Sequence, residues 1–193
     1  MPDDTFREIS TEVLSDDYGV LTRHRFALRL SDGTWDEQSR EVYERGSGAT
    51  ALLHDPKADT VLLVRQFRLP LRVAGRDPMM IETPAGNLDG ADPGARVAAE
   101  LLEETGFQAL TIEHVASLSM TPASATQIMA CYLGTYDRTA PVAPGGGERD
   151  EGEDIAVLHV PLPEALAMVR DGRIIDGKAC FLISQLALRR AGL

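Results

Sequence analysis

Hydrophobic and polar positions alternate in several short segments of the chain, and this alternation predicts a protein rich in β-strands. Residues 26–30 alternate and lead into Ser31-Asp32-Gly33, a turn signal that predicts a hairpin within a β-rich region at residues 5–45. Further strands are predicted at residues 49–53, 61–67, 79–82, 112–120, 128–136 and 155–160, and helices at residues 93–105, 162–169 and 178–191. Strands before and after a central helix, with another helix near the end, predict an α/β or α+β fold.

The central helix, at residues 93–105, has a well-marked start and end. Asp92 can cap its first turn, Pro93 suits the first helical position, and Gly106 can adopt the left-handed conformation that follows a helix. Small and apolar side chains on one side of this helix are predicted to pack against the core: Ala95, Ala98, Leu101, Leu102 and Thr105. Carboxylates are then expected on the opposite side.

These carboxylates, Glu100, Glu103 and Glu104, lie within little more than one helical turn. Like charges at such spacings repel by about 0.2–0.5 kcal/mol per pair. No Lys or Arg follows within a turn to offset the repulsion. A divalent cation would neutralise the cluster, because hard cations bind carboxylate oxygens. The alternative interpretation is a solvated acidic helix face that ends at Gly106.

The composition narrows the possible function classes. The chain has 193 residues and a formal net charge of −11 at pH 7, which argues against a nucleic-acid partner because such a partner requires a basic face. The N-terminal segment lacks the apolar core of a signal peptide, and no apolar run is long enough to predict a membrane span. Cys131 and Cys180 fit neither a disulfide framework nor a C-x-x-C motif, so we expect thiols in a reducing, cytoplasmic compartment.

The segment that begins at Gly86 resembles the Nudix box, whose consensus is G-x5-E-x7-R-E-U-x-E-E-x-G-U with U apolar. Gly86 and Asp92 match the first half, with Asp in place of Glu. The second half is matched by Glu100, Leu101, Glu103, Glu104, Gly106 and Phe107. The match is one residue short between loop and helix, and Ala99 stands where the family has an arginine that orients the box glutamates. We predict that Arg96, on the same helix face as Glu100, takes over this pairing.

Other segments resemble the GDP-mannose pyrophosphatases, a Nudix subgroup beside the ADP-ribose pyrophosphatases that shares the shortened box. The resemblance extends from about Leu14 to Leu188. The segments that carry it are Arg40-Glu41-Val42-Tyr43-Glu44-Arg45-Gly46, Val64-Arg65-Gln66-Phe67-Arg68, Gly145-Gly146-Gly147 and Asp176-Gly177-Lys178. It implies a Nudix-type α/β/α sandwich with a mixed sheet at residues 46–193 and a small β-rich N-terminal dimerisation region at residues 1–45. A homodimer is therefore expected.

The resemblance implies Mg²⁺-dependent hydrolysis, with Mn²⁺ as an alternative ion, of the pyrophosphate bond in a nucleoside diphosphate linked to a sugar, such as GDP-mannose. The products would be a nucleoside monophosphate and a sugar phosphate. Two alternatives are ADP-ribose hydrolysis and a non-catalytic nucleotide-sugar sensor with the Nudix fold, although the three retained glutamates argue against the sensor. Gln127 stands where the subgroup has glutamate, which leaves the sugar preference open.

The resemblance also implies the site residues. The implied metal ligands are the backbone carbonyl of Ala85 and the side chains of Glu100, Glu104 and Glu153. The implied catalytic residues are Glu103, Glu104 and Glu153, where Glu153 is a general base or an additional ligand and Glu151 is its alternative in the same loop. The implied substrate contacts are Tyr18, Arg40, Glu41, Arg68, Gly86, Gln127 and Lys178. Arg65 is expected to point away from Arg68, because side chains alternate along a strand.

Overall fold

The computed structural model describes residues 4–148, 150 and 152–193. These residues fall into two units. The first unit comprises the N-terminal residues up to Ser47 together with Ser119–Ile128, and the second unit comprises Gly48–Leu118 and Met129–Leu193. The chain therefore leaves the second unit after residue 118, adds a short segment to the first unit, and returns to the second unit at residue 129.

The first unit is built on a three-stranded sheet in the order β1-β2-β3, with both pairs antiparallel. Its strands are β1 (Phe6–Asp16), β2 (Val20–Arg29) and β3 (Trp35–Glu44). The predicted hairpin between β2 and β3 is confirmed, because the Leu30 N–H donates to the Thr34 carbonyl at 2.8 Å. Gly33 in this turn has a φ of 86°, a conformation that glycine adopts at no steric cost.

The two faces of this sheet differ in character. On one face, Arg23 pairs with Glu12 at 3.3 Å and with Glu41 at 3.1 Å. The register places Phe26 on the opposite face, where the ring centroids of Phe6 and Phe26 lie 5.5 Å apart. Phe6 is 50% exposed, so this aromatic pair is only partly covered.

A seven-stranded mixed sheet forms the centre of the second unit. Its strands are β4 (Gly48–Asp55), β5 (Thr60–Phe67), β6 (Met79–Glu82), β7 (Ala85–Asn87), β8 (Thr111–Leu118), β9 (Met129–Thr135) and β10 (Ala156–Pro161). The main order is β10-β5-β4-β9-β8, with β6 pairing with β5 and β7 pairing with β4. The β4 and β9 strands run parallel, and the other pairs are antiparallel.

Four helices in the described part of the chain accompany this sheet. They are α1 (Leu69–Val73), α2 (Pro93–Thr105), α3 (Leu162–Arg170) and α4 (Gly177–Arg190). The α2 helix contacts β4 and β7, whereas α4 contacts β4, β9 and α3. The three predicted helices and the predicted strands are confirmed, and so is the α/β class. The sequence pattern does not predict α1 or β7, because segments of five and three residues are too short to show a period.

The buried side of α2 differs from the predicted one. The predicted packing positions Ala95, Ala98 and Leu102 are exposed, so this part of the prediction is wrong. Leu101 and Thr105 are buried, as predicted. The helix is therefore rotated about its axis relative to the orientation that its small residues favour.

Packing against β4 explains this rotation. Val97 and Leu101 are fully buried in one cluster with the β4 side chains of Ala49, Ala51 and Leu53. Helical spacing then carries Glu100 and Glu104 to the same side, where both are buried. The prediction that the carboxylates lie opposite the core is therefore wrong for these two residues.

The two cysteines are free thiols, with Cys131 buried and Cys180 partly buried. This agrees with the prediction that they form no disulfide. Among the residues that the structure describes, no helix is both long and apolar enough to cross a membrane.

Local hydrogen bonds define both ends of α2. The Asp92 side chain accepts a hydrogen bond from the Ala95 N–H at 3.0 Å, and Gly106 has a φ of 76° with its N–H donating to the Leu102 carbonyl at 2.9 Å. We expect Asp92→Ala to lower the free energy of unfolding by about 1 kcal/mol, because the helix loses its cap. Urea denaturation measures this loss, and Asp92→Asn, which keeps a side-chain acceptor, should be nearly neutral. Equal losses in both variants would contradict a capping role.

Candidate functional site

Gly86 provides the space for the first carboxylate of the site. It lies on β7, which pairs with β4, and α2 contacts this short strand. A Cβ atom added at Gly86 would overlap the side chain of Glu100. A larger residue at this position would therefore displace the Glu100 carboxylate from its place against the β7 backbone.

Arg96 holds the acidic side chains of α2. Its Nη2 atom lies 2.5 Å from Glu100 Oε1, and its Nη1 atom lies 4.0 Å from Glu103 Oε2. Its Nε–H also donates to the Asn87 carbonyl at 3.1 Å, which ties the helix to the end of β7. The predicted pairing of Arg96 with Glu100 is confirmed, and the charge missing at Ala99 is supplied one helical turn before Glu100.

Glu104 is the most deeply buried carboxylate of this cluster. It is 1% exposed, and its Oε2 atom has no hydrogen-bond partner among the described residues. Burial raises the pKa of Glu104 to about 9, and the negative charges of Glu100, Glu153 and Glu82 add to the increase. A buried carboxylate without a partner is costly, so this oxygen requires either a proton or a cation.

Glu82 is a site residue that the sequence analysis missed. Its side chain is 3% exposed and lies between two cations. Arg68 Nε donates to its Oε1 at 2.7 Å, and Lys178 Nζ lies 3.5 Å from its Oε2. A charged residue at the end of the apolar run Met79-Met80-Ile81 was the available signal, since a charge in such a run is unusual unless it has partners.

Lys178 has a second acidic neighbour. Its Nζ atom donates to Asp176 Oδ1 at 2.7 Å, and Asp176 Oδ2 accepts a hydrogen bond from the Ala179 N–H at 3.1 Å to cap α4. The start of α4 therefore positions Lys178 toward Glu82. Two of the predicted substrate-binding residues, Arg68 and Lys178, therefore contact the same buried carboxylate, that of Glu82.

The triple-glycine loop attaches to the C-terminal end of α2. The Gly146 N–H donates to the Glu104 carbonyl at 2.8 Å, and the Gly147 N–H donates to the Glu103 carbonyl at 3.2 Å. All three glycines have positive φ, and a Cβ atom at Gly145 would overlap the backbone of Thr105. These glycines let the loop backbone pack directly on the free carbonyls of the helix end.

Glu153 is held within this loop. Its Oε2 atom accepts a hydrogen bond from the Glu148 N–H at 3.0 Å, and its own N–H donates to the Glu148 carbonyl at 3.3 Å. Its charge is close enough to raise the pKa of Glu104. Glu151, the alternative loop acid, lies outside the described residues.

Carboxylates are suitable ligands for a divalent cation, but those of the site do not converge on one point as a complete set of ligands. Among the described residues, no three His, Cys, Asp or Glu side chains stand as a ready metal-binding group. Glu100 is paired with Arg96, and Glu153 is bound to a backbone N–H. The unpartnered Oε2 of Glu104 is the observation that fits a cation, because hard ions take carboxylate oxygens.

The remaining predicted substrate contacts belong to the first unit. Tyr18 is 72% exposed and has the Arg45 guanidinium 4.0 Å above its ring. Arg40 donates to Gln38 Oε1 at 3.0 Å, whereas Glu41 pairs with Arg23. Gln127 lies in the Ser119–Ile128 segment. Contact with a substrate stays a prediction for all four of these residues, Tyr18, Arg40, Glu41 and Gln127.

Known proteins resemble this chain in sequence and in fold. A family model described as the GDP-mannose pyrophosphatase NudK N-terminal domain matches residues 6–43. A GDP-mannose pyrophosphatase of Klebsiella pneumoniae is 40% identical over 179 residues, which cover 92% of this chain and 89% of that protein. A GDP-mannose pyrophosphatase of Pectobacterium atrosepticum is 38% identical over 182 residues, covering 94% of this chain and 93% of that protein.

The crystal structure of an ADP compounds hydrolase superposes with a TM-score of 0.73 at 17% identity, covering 97% of this chain and 95% of that one. At this identity the match concerns the fold alone, and it agrees with the mixed sheet and flanking helices. The sequence relatives extend over almost the whole of both chains. The chain therefore belongs to the GDP-mannose pyrophosphatase family of Nudix hydrolases.

Proposed function

We propose that this protein hydrolyses the pyrophosphate bond of GDP-mannose or a closely related nucleotide sugar and releases a nucleoside monophosphate and a sugar phosphate. The observation that carries this proposal is Glu104, a buried carboxylate with an unpartnered oxygen next to other acids. Such a group suits a divalent cation, and a pyrophosphate needs one. The relatives named GDP-mannose pyrophosphatases support the choice of substrate.

Divalent-metal dependence is general among Nudix pyrophosphatases, and we propose Mg²⁺, with Mn²⁺ as a substitute. When bound, the ion neutralises the pyrophosphate, polarises the bond that breaks and lowers the pKa of a water molecule. Glu100, Glu104 and the carbonyl of Ala85 would hold it, with Glu153 as a further ligand. Glu103 is the outer carboxylate and would support a second ion or orient the other ligands.

Arg96 and Glu153 have supporting roles in this proposal. Arg96 orients Glu100 and keeps its charge balanced until a cation arrives. Glu153 is proposed to accept a proton from the attacking water, and its role as a further metal ligand is the alternative. Its loop is anchored by the Gly146 and Gly147 N–H groups at the end of α2, so its backbone has a defined position relative to Glu104.

Arg68 and Lys178 are proposed to bind the phosphate groups of the substrate. An arginine offers paired N–H groups that match phosphate oxygens, and a lysine adds a compact positive charge. Glu82 acts as a positioning residue, because it contacts both cations through its two oxygens. The buried carboxylate therefore determines where these two phosphate-binding groups stand.

The first unit is proposed to form a homodimer and to complete the nucleotide site of the partner. The partly covered face with Phe6 and Phe26 supports a contact with another chain, because exposed aromatic surface favours burial. In this dimer, Tyr18, Arg40 and Glu41 would contact the nucleotide, and Gln127 would contact the sugar. The free thiols fit a reducing compartment, and we place the protein in the cytoplasm.

Turnover of a substrate panel tests the function directly. With Mg²⁺, we expect release of GMP from GDP-mannose at a higher kcat/KM than release of AMP from ADP-ribose. Glu104→Gln should lower the rate by about 100-fold or more, because it removes a metal ligand. The matched control is Glu113→Gln, which alters an exposed glutamate paired with Arg189 and should leave the rate unchanged.

Two outcomes would contradict this proposal. A preference for ADP-ribose would overturn the substrate, and binding of nucleotide sugars without any hydrolysis by folded protein would favour the sensor.

The thermal stability of the metal-free protein should depend on pH because of Glu104. Its folded pKa of about 9 lies above the ordinary value of 4.5, so the protonated group favours folding below pH 4.5, and this contribution is lost as the pH rises toward 9. In EDTA, the Tm of the wild type should therefore fall more steeply over this range than that of Glu104→Gln. Mg²⁺ should restore the Tm of the wild type at high pH, because it binds the ionised carboxylate. Parallel Tm curves for the two proteins would argue against this role.

The position of Glu82 predicts a combined effect on stability and on substrate binding. Glu82→Gln should lower the free energy of unfolding by about 1–3 kcal/mol, because charged hydrogen bonds to a buried group are lost. It should also raise KM, since Arg68 and Lys178 lose their common anchor. Glu113→Gln removes an exposed pair and should cost less than about 1 kcal/mol with no change in KM. Similar losses in the two variants, with KM unchanged in both, would show that Glu82 does not position the cations.

A further inference from the structure

A cavity lies in the second unit, apart from the acidic cluster. Its volume is about 370 Å³, within the range of small-ligand sites. Its walls come from β5 and β6, from α1 and the residues after it, and from the loop between α3 and α4. The residues that define its chemistry are Arg65, Arg76, Asp77, Met79, Ile81 and Arg173.

The sheet separates this cavity from the reaction site. Arg65 pairs across the sheet with Ile81, and Val64 pairs with Glu82. Directly paired residues share a face and successive residues alternate, so Arg65 and Ile81 point away from the face that carries Glu82. Arg65 and Ile81 therefore lie on the face opposite Glu82, the carboxylate that anchors the proposed phosphate contact Arg68.

Two of the lining arginines have no ion-pair partner within the described part of the chain. Among the described residues, the guanidinium groups of Arg65 and Arg76 make neither a hydrogen bond nor an ion pair. The single acid in the lining, Asp77, already accepts a hydrogen bond from the Met79 N–H at 2.9 Å. Two positive charges, on Arg65 and Arg76, against one negative charge, on Asp77, leave these three residues with a net charge of +1 in a chain of net charge −11.

Arg173 also lines the cavity, but its guanidinium is already paired with acidic side chains. Its Nη1 donates to Glu164 at 2.6 Å, and its Nε and Nη2 donate to Asp171. These two carboxylates more than offset its single positive charge, and the contacts fix the plane of its guanidinium. Because each terminal nitrogen of an arginine carries two N–H groups, one N–H on Nη1 and one on Nη2 have no partner among these contacts.

The remaining wall is apolar. Met79 is 37% exposed and Ile175 is 40% exposed, and Leu71, Met80 and Ile81 complete this part of the lining. Inorganic phosphate alone would leave this surface uncovered. A ligand with an anionic end and an organic body would use both parts of the cavity.

We propose that this cavity is a second ligand site, which binds the phosphate group of a small organic phosphate monoester between Arg65 and Arg76 and packs its organic part over Met79 and Ile81. Guanidinium groups suit this ligand because their N–H pairs match phosphate oxygens. The site does not depend on the proposed reaction, since none of its lining residues belongs to the acidic cluster.

Calorimetric titration in EDTA tests this site. EDTA removes the divalent ions on which the proposed reaction depends, so hydrolysis is suppressed during the titration. GMP, mannose 1-phosphate and inorganic phosphate are the probes. We expect at least one ester to bind with one site per chain, more tightly than inorganic phosphate and more weakly as salt is raised.

Variants locate the binding. Arg65→Ala/Arg76→Ala should weaken ester binding by at least about tenfold, since charged hydrogen bonds are lost. The matched control is Arg72→Ala, an exposed arginine of the same region that does not line the cavity. Arg68→Ala reports on the reaction site, and neither of these controls should change the affinity. Circular dichroism verifies that each variant is folded.

Three results would overturn the proposal. The first is absence of ester binding by the wild type, and the second is equal affinity of the double variant and Arg72→Ala. The third is loss of binding in Arg68→Ala, which would assign the ligand to the reaction site. Inorganic phosphate that binds as tightly as the esters would overturn the part of the proposal that concerns the organic body.

Discussion

The burial of two like-charged carboxylates on α2 is the constraint on which the site depends. Val97 and Leu101 pack on β4, and helical spacing then brings Glu100 and Glu104 into the interior with them. Each charge has to be balanced there, because an isolated buried carboxylate is far more costly than an exposed one. Arg96 balances Glu100, whereas Glu104 keeps one oxygen without a partner. The hydrophobic packing of the helix thus leaves a buried carboxyl group at Glu104 that needs either a proton or a cation.

Close backbone approach is the second consequence of this packing. Gly86 leaves space for the Glu100 side chain, and Gly145 lets its loop reach the backbone of Thr105. The role of these glycines is therefore steric, since a side chain at either position would displace the neighbouring groups of the site. The same approach lets the loop satisfy free carbonyls at the end of α2 while it carries Glu153 toward Glu104.

The β5 and β6 strands carry different chemistry on their two faces. One face holds Glu82, which orders the cations Arg68 and Lys178. The other face carries Arg65 toward a cavity with unpaired positive charge. Alternation along the strand keeps these sets apart, so one short pair of strands supports both the reaction site and the second ligand site.

Local signals explain what could be predicted from sequence. The bounds of α2 follow from Asp92 and Gly106, whose hydrogen bonds and φ are made within a few residues, and the Nudix box follows from a motif that is contiguous in the chain. The buried side of α2 was mispredicted, and Glu82 was missed. Both depend on contacts with segments distant in sequence, namely β4 and the start of α4. Sequence spacing shows which side chains share a helix face, but only the neighbouring sheet decides which face is buried, because burial is a property of the partner surface as well.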